Sequence, residues 1–426
     1  MTVGILFGSF AVLLLLSVPI GIALGIATLL TIIAADTVPI SFLMTELVTS
    51  LDSFPIMAVP FFILAGEIMG KGGISERLFN FANSLVGSKT GGFAIATIIT
   101  CMFFAAISGS GPATVAAIGS IMIPAMVRQG YDKAFATATV AAAGSIGVII
   151  PPSIPMVIYG VTGGASVGNM FIAGIIPGVL VSVSLMVWAY LYSRKMGYKG
   201  TLEKITLKHI GQTFWHAKWA MVIPVIILGG IYGGKFTPTE AAVIAVFYGL
   251  FVGLVLHREL RFRDLPKVIA DSSLTTATVL IIVGTANAFG KFLTVEQIPN
   301  QIANWMLGLT ENHIILILLI TALLLLVGCF MDTIAAIIIL TPILLPIANS
   351  IGYDPVHFGI IMVVALAIGF ITPPLGVNLF VSSGISGLSI EKISKAVIPF
   401  FFAMVFALIM IVFIPDLSTW LISLGE

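Results

Sequence analysis

Charge is scarce in this chain. Of its 426 residues 9% are Asp, Glu, Lys or Arg, 59% are hydrophobic, and the mean hydropathy is +1.17. A water-soluble domain carries about 25% charged residues. So small a polar complement cannot solvate an aqueous surface, and lipid is the expected solvent. The 19 basic and 18 acidic residues leave a formal net charge of +1, which points away from nucleic acid and from strongly acidic partners. The two cysteines, Cys101 and Cys329, form no CxxC and no Cys/His cluster, so no metal centre is indicated and both are expected as small buried hydrophobes. No GxxxxGK(S/T) segment is present, which excludes a phosphate loop for ATP. No Ser/His/Asp set and no HExxH appear, and the five histidines fall in loops or at span ends, so an enzyme is not expected and no cofactor is implied. No Lys or Arg precedes the first apolar run, which reads as a retained membrane helix rather than a signal peptide.

What the chain has is long apolar runs, among them 5–34, 219–231 and 314–327. At roughly 20 residues per crossing, the length holds about ten spans plus shorter pieces. The run from Val3 to Ala34 allows one tilted span or two short ones. Basic residues cluster at 194–208 and 257–267, at Lys71, Arg77 and Lys89, and at Arg128 and Lys133. The positive-inside rule places these loops in the cytoplasm. Ala217–Ile231 and Ala241–Leu256 then cross out and back, with 233–240 outside. Segment 296–311 and the Gly352 loop also fall outside, and Glu391, Lys392 and Lys395 return inside. Trp188, Trp215, Trp219, Trp305 and Trp420 mostly lie near the expected interfaces. Glu67 and Glu240 sit at helix ends and are expected to face solvent, and Thr237-Pro238-Thr239-Glu240 reads as a capped helix start.

The chain also repeats itself. Gly130-Tyr131-Asp132 returns as Gly352-Tyr353-Asp354, an offset of 352 − 130 = 222. The same offset carries Pro124 onto Pro346, Gly147 onto Gly369, Pro151-Pro152 onto Pro373-Pro374 and Pro177 onto Pro399. Gly70-Lys71, Glu76 and Asn80 match Gly290-Lys291, Glu296 and Asn300 at 290 − 70 = 220. The charge pattern gives the two copies opposite orientations. Duplicated halves with Gly and Pro interruptions at matching places are the sequence trace of a secondary transporter.

Each copy holds two apolar segments too short for two full spans. Phe93–Ile107 and Ala113–Met126 are joined by Ser108-Gly109-Ser110-Gly111-Pro112, and Ile314–Leu326 and Ile334–Ile347 by Gly328-Cys329-Phe330-Met331-Asp332-Thr333. Each pair reads as a re-entrant helical hairpin, whose irregular tip survives at membrane depth only where protein or water satisfies it. Before each hairpin lies a mixed stretch, 75–86 and 294–307, of the kind that lies flat in the interface. After each comes a double proline, Pro151-Pro152 and Pro373-Pro374. Proline lacks the amide donor and clashes one turn back, so each span should unwind there into a discontinuous helix and free its carbonyls. The alternatives are a small-residue packing patch for tip one, a helix cap for Asp332 and an ordinary kink for each proline pair.

Broken helix ends and tip hydroxyls supply the oxygens that a bare Na⁺ needs. Candidate sodium ligands are Ser108, Ser110, Gly144, Gly147 and Ile150 around tip one, and Gly328, Asp332, Thr333, Gly369 and Thr372 around tip two. Asp332 is the only acidic residue between Glu311 and Asp354, and an intramembrane carboxylate is by default an ion-pathway candidate. The half-helices after the breaks begin at Ser153 and Leu375, and their N-terminal dipoles favour an anion. Candidate substrate contacts are Ser110, Pro152, Ser153, Pro374 and Asn378.

These residues resemble the large membrane subunit of tripartite ATP-independent periplasmic (TRAP) transporters over essentially the whole length. The resemblance rests on Ser17-Val18-Pro19-Ile20-Gly21, Pro60-Phe61-Phe62-Ile63-Leu64-Ala65-Gly66, 108–114, Ile149-Ile150-Pro151-Pro152-Ser153, Met331-Asp332 and Thr372-Pro373-Pro374. It implies an all-α polytopic protein of the bacterial inner membrane with inverted repeats and an elevator-type transport core. It implies sodium-coupled import of a carboxylated solute, sialic acid first and a C4-dicarboxylate next. It implies two separate partners, a small four-helix membrane subunit and a periplasmic substrate-binding protein. The expected division is N-terminal scaffold helices over 1–54, a first repeat over 55–193 with hairpin 92–127 and broken helix 131–160, cytoplasmic loops and central scaffold helices over 194–269, and a second repeat over 270–426 with hairpin 312–349 and broken helix 356–385. A stand-alone citrate-type sodium/anion symporter is the alternative.

Overall fold

The computed structural model describes residues 2–200, 206–299, 301–302, 308 and 312–424, and among these the secondary structure is helical with no strand. The first run splits into two short helices, α1 (Thr2–Leu15) and α2 (Ile20–Ala35), which pack on each other. Pro19 starts α2 and Ser17 turns the chain at φ 60°. There follow α3 (Ser41–Leu51), α4 (Ala58–Lys71), α5 (Ile74–Val86), α6 (Gly92–Ser108), α7 (Gly111–Arg128), α8 (Lys133–Gly144), α9 (Ile154–Gly163) and α10 (Val167–Met196). The central helices are α11 (Leu207–Tyr232), α12 (Pro238–Phe251, prolonged by a π-turn to Leu256) and α13 (Leu265–Val295). The remainder comprises α14 (His313–Gly328), α15 (Thr333–Ser350), α16 (Pro355–Gly369), α17 (Val377–Ser386), α18 (Ile390–Phe413) and α19 (Asp416–Ser423).

Seven helices among the described residues are long and apolar enough to cross a membrane, and eight shorter apolar helices accompany them. The difference from ten full spans lies in the hairpins and breaks, which divide several apolar stretches into short pieces. The central crossings expected at 217–231 and 241–256 are longer, because α11 starts at Leu207 and so takes in His209 and His216. The helix at Pro238 opens with a full capping box between Thr237 and Glu240. Of the two mixed arms, α5 covers the first. It buries Leu78, Phe81 and Ala82 and packs on α6 and α11. The second lies partly outside the described residues, as do Asn300, Trp305 and Glu311.

The basic loops converge at one end. The Gly91 amide donates to the Tyr198 carbonyl and the Asp132 amide to the Tyr198 hydroxyl. The Thr213 hydroxyl reaches Ser84, and Arg77 pairs with Glu259 at 2.6 Å. Elsewhere the Tyr159 hydroxyl donates to the Pro355 carbonyl, Thr239 to the Phe54 carbonyl and Tyr353 to the Val412 carbonyl. Residues from 54–55, 160–168 and 237–239 share one small hollow there.

The two halves of the chain exchange partners. The return arm of the first hairpin, α7, packs on α17 of the second half, and α15 packs on α9 of the first. Likewise α8 packs on α18 and α16 on α10. Each half-helix after a break is thereby held by the hairpin of the other half.

Candidate functional site

Tip one is narrower than its five-residue linker suggests, because α7 already begins at Gly111, with Pro112 in its first turn where a missing amide costs nothing. Only Gly109 and Ser110 are non-helical. Gly109 takes φ 60° and caps α6 with its amide on Ala105. Ser110 caps α7, accepting from the Ala113 amide. Behind it the hydroxyls of Ser108 and Thr114 lie 2.9 Å apart, and Thr114 donates to the Ser110 carbonyl at 2.8 Å. Tip two runs from Cys329 to Asp332. The Asp332 carboxylate caps α15 by accepting from the Ile334 amide at 2.9 Å, and the neighbouring Thr333 hydroxyl is buried without a hydrogen-bond partner among the described residues. Cys329, expected as a buried hydrophobe, is only half-buried at this tip, whereas Cys101 is fully buried.

Both double prolines break their helices, and both Pro–Pro bonds are cis. After α8 a 3₁₀ turn covers Ser145–Val148, and helix resumes at Ile154. After α16 it resumes at Val377. Each break is tied to its own tip. The Ile154 amide donates to the Gly109 carbonyl at 3.4 Å, and the Leu375 amide to the Cys329 carbonyl at 3.1 Å. Gly147 approaches the Ser110 carbonyl so closely that an added Cβ would stand 2.5 Å from it, and Gly369 meets the Gly328 carbonyl in the same way at 2.1 Å. Gly66 of α4 lies close on tip one, though less tightly, its would-be Cβ 3.2 Å from the Ser108 Cα.

The two tips face one cavity of about 200 Å³. Ser108, Gly109 and Ser110 line it from one side and Asp332, Thr333 and Ile334 from the other. Val148 and Phe370 from the two breaks close it, together with Ile154 and Pro155 at the start of α9. Its remaining wall comes from α4 and α13, with Ile63, Gly66, Glu67, Thr275 and Val279.

The expected substrate contacts divide. Ser110 lines this cavity, whereas Pro152 and Ser153 are buried away from its lining, Ser153 donating to the Val148 carbonyl at 2.6 Å. Pro374 is exposed, outside the lining. Asn378 is fully buried, and its amide nitrogen serves the Ala141 carbonyl at 3.0 Å and Ser145 at 3.2 Å. It ties the second half-helix to the first break. Its Oδ1 is buried and unpartnered among the described residues. Of the expected sodium ligands, Gly144 lies against Val115 and Asn378, Ile150 packs on Gly178, and Thr372 donates to the Ile368 carbonyl.

Glu67, expected at a solvent-facing helix end, is partly exposed near the end of α4 and also lines the cavity, where it holds Lys71 at 3.8 Å, which also binds Asp271 at 3.1 Å. A carboxylate one turn before Lys71 inside an apolar signature was the available signal. Thr275 was signalled by the polar stretch 272–278 in an otherwise apolar helix.

The cavity lining is mostly apolar, and its polar side chains are those of Ser108, Ser110, Glu67, Thr275, Asp332 and Thr333. Among the described residues no group of three His, Cys, Asp or Glu is disposed to hold a metal.

Residues 7–417 match the family model described as "Tripartite ATP-independent periplasmic transporter, DctM component". The chain belongs to this family. It is therefore a multi-pass inner-membrane transporter subunit and not an enzyme. It is 54% identical over 96% of its length to the isethionate TRAP transporter permease protein DctMQ of Oleidesulfovibrio alaskensis, and spans 65% of that relative. It is 43% identical to the C4-dicarboxylate TRAP transporter large permease protein DctM of Pseudomonas aeruginosa, covering 93% of this chain and 92% of the relative. It is 37% identical to the sialic acid TRAP transporter large permease protein SiaM of Vibrio cholerae, covering 98% and 97%. Among solved structures, the YdaH transporter of Alcanivorax borkumensis aligns with TM-score 0.57 at 17% identity, over 90% of this chain and 89% of that one. That likeness concerns the fold alone.

Proposed function

We propose that this DctM-family chain carries a small organic anion inward with sodium, as the transport subunit of a tripartite system. The observation that carries this reading is the convergence of two hairpin tips and two broken helices on one cavity. One sodium would sit between tip one and the Gly147 break, a second between tip two, Asp332 and the Gly369 break. Filled sites would order the tips, and the anion would then dock between them, so that ion and substrate occupancy are reciprocally linked.

The repeats are read as inverted, with the division at 55–193 and 270–426. The first hairpin is rooted near Gly91 in the basic end of the molecule, and the second near Tyr353, which bonds Val412 at the other. Helices α6–α10 and α14–α19 would form the moving core of an elevator, and α1–α4 and α11–α13 its scaffold. The small membrane subunit and the periplasmic binding protein are the partners the family description implies. A stand-alone carrier is disfavoured by a match that runs over residues 7–417.

For substrate, the 54% relative named for isethionate moves the expectation from sialic acid toward a small sulfonate or carboxylate. The test is uptake into liposomes holding this chain and its small partner, under an inward Na⁺ gradient. Labelled isethionate, succinate and sialic acid are each offered with and without their binding proteins. Uptake that needs both sodium and a binding protein is expected. Uptake indifferent to sodium sinks the coupling, and uptake without any binding protein restores the stand-alone carrier.

A further inference from the structure

A groove on the outer surface plays no part in the transport reading. It lies between α10 and α18 and measures about 600 Å³. Val183, Val187 and Leu191 form one wall, and Ile398, Phe402 and Phe406 the other. These side chains are 43–63% exposed, so about half of each is left for something else to cover. Along α10 the groove runs from Leu180 to Leu191, 191 − 180 = 11 steps, or about 17 Å at the helical rise. The hydrocarbon core is about 30 Å thick. The groove therefore spans one leaflet, the reach of an acyl chain, and a membrane-crossing helix would overrun it.

One end of the groove is basic. Residues three and four apart share a helix face, so the Val187–Leu191 stripe continues to Arg194 and Lys195. The Ile398–Phe402 stripe leads back to Lys395, with Glu391 one turn beyond on the same face and Lys392 beside it. Phe135 touches both Tyr198 and Phe400, at 6.3 and 5.9 Å, which ties the end of α10 to the start of α18. All four cations are exposed, and none has an ion pair among the described residues. Glu391 is the acidic residue on the same stretch of α18. Pro399 has no amide to give the Lys395 carbonyl, which leaves an acceptor at the groove mouth.

We propose that this groove holds one anionic glycerophospholipid of the cytoplasmic leaflet. Its phosphate rests among Arg194, Lys195, Lys392 and Lys395, and one acyl chain lies between α10 and α18. Basic clusters between helices on the cytoplasmic side recognise such headgroups, and the apolar slot selects a chain rather than a free phosphate.

Native mass spectrometry tests this on the full chain with its co-purified subunits, released from nanodiscs of equal phosphatidylglycerol and phosphatidylcholine. One retained phosphatidylglycerol is expected, enriched about fivefold or more over phosphatidylcholine. Arg194→Gln with Lys195→Gln, Lys392→Gln and Lys395→Gln should abolish the preference. Ala403→Trp should fill the slot and release the lipid with every charge intact, so it decides the matter alone if the charge variant fails to fold. Equal retention of both lipids by the unaltered protein, or an unchanged preference in Ala403→Trp, overturns the proposal. So does a photo-crosslinker at Val187 that captures the small membrane subunit instead of lipid.

Discussion

The carbonyl of Gly328 lies directly over the Cα of Gly369, so near that an added Cβ would stand 2.1 Å from its oxygen. Gly147, which matches Gly369 at the offset of 222, meets the carbonyl of Ser110. Neither neighbour is a flexible side chain that can swing away. Gly369→Ala and Gly147→Ala should therefore each cost about 1–3 kcal/mol of stability and lower uptake, since tip and break must separate to admit the methyl group. Gly384→Ala is the control, because nothing lies within 4 Å of its added Cβ. Thermal melting and uptake measured together decide it, and unchanged uptake by Gly369→Ala would show that the close contact is packing without consequence for transport.

Asp332 is asked to do two things, and they can be separated. It caps α15 through the Ile334 amide, and it presents a carboxylate to the cavity. Asp332→Asn keeps a capping oxygen and removes the charge, whereas Asp332→Ala removes both. The Ala variant should lose about 1 kcal/mol, and the Asn variant should melt near the unaltered protein. Both should lose sodium-driven uptake and the thermal stabilisation that sodium confers. Full uptake by Asp332→Asn would leave Asp332 as a cap alone.

Much of this site was legible in the chain because its signals are chemical exceptions. A double proline in an apolar run, or an Asp between two apolar helices, has few structural explanations, and the recurrence of the proline pair 222 positions on narrows them further. What stayed hidden depends on side-chain direction across elements far apart in sequence. Asn378 carries the polar group expected at an anion site, yet its amide is spent on Ala141 and Ser145. Pro374 belongs to the same motif as the buried Pro152 and is exposed. Glu67 faces the cavity only because Gly66 lets α4 approach tip one. The split of the first apolar run at Ser17 turned on a backbone conformation that hydropathy does not register.

Lys71 neutralises two carboxylates at the edge of a cavity read as an anion site. With side chains 37–48% exposed, its pairs should contribute no more than about 1 kcal/mol to stability. Their effect on the substrate should be larger. Lys71→Met would leave Glu67 facing the cavity and Asp271 beside it, both unopposed. The KM for the anion should rise about threefold to tenfold, on the order of 1 kcal/mol, and should recover in high salt as the charges are screened. A KM that does not move would place Glu67 and Asp271 out of electrostatic reach of the solute.

His257 clamps the elbow between α4 and α5. Its Nδ1 lies 3.0 Å from the Gly72 carbonyl, and its Nε2 is buried without a partner among the described residues. Next to it the Glu259 carboxylate occupies the space where a side chain of Gly73 would be, and Arg77 binds both that carboxylate and the Gly73 carbonyl. Burial holds the imidazole below its ordinary pKa of 6.5 and Arg77 adds to the effect, while the Gly72 carbonyl and Glu259 oppose it. The unfolded chain therefore takes up a proton at a higher pH than the folded one. The stability that the neutral ring contributes is full above pH 6.5 and is lost as pH falls toward the folded pKa. Melting temperature should drop between pH 7.5 and 5.5, and drop less in His257→Gln, which keeps a donor for Gly72 and cannot charge. Equal drops in the two proteins would assign the acid sensitivity to other groups and leave His257 a neutral strut at this elbow.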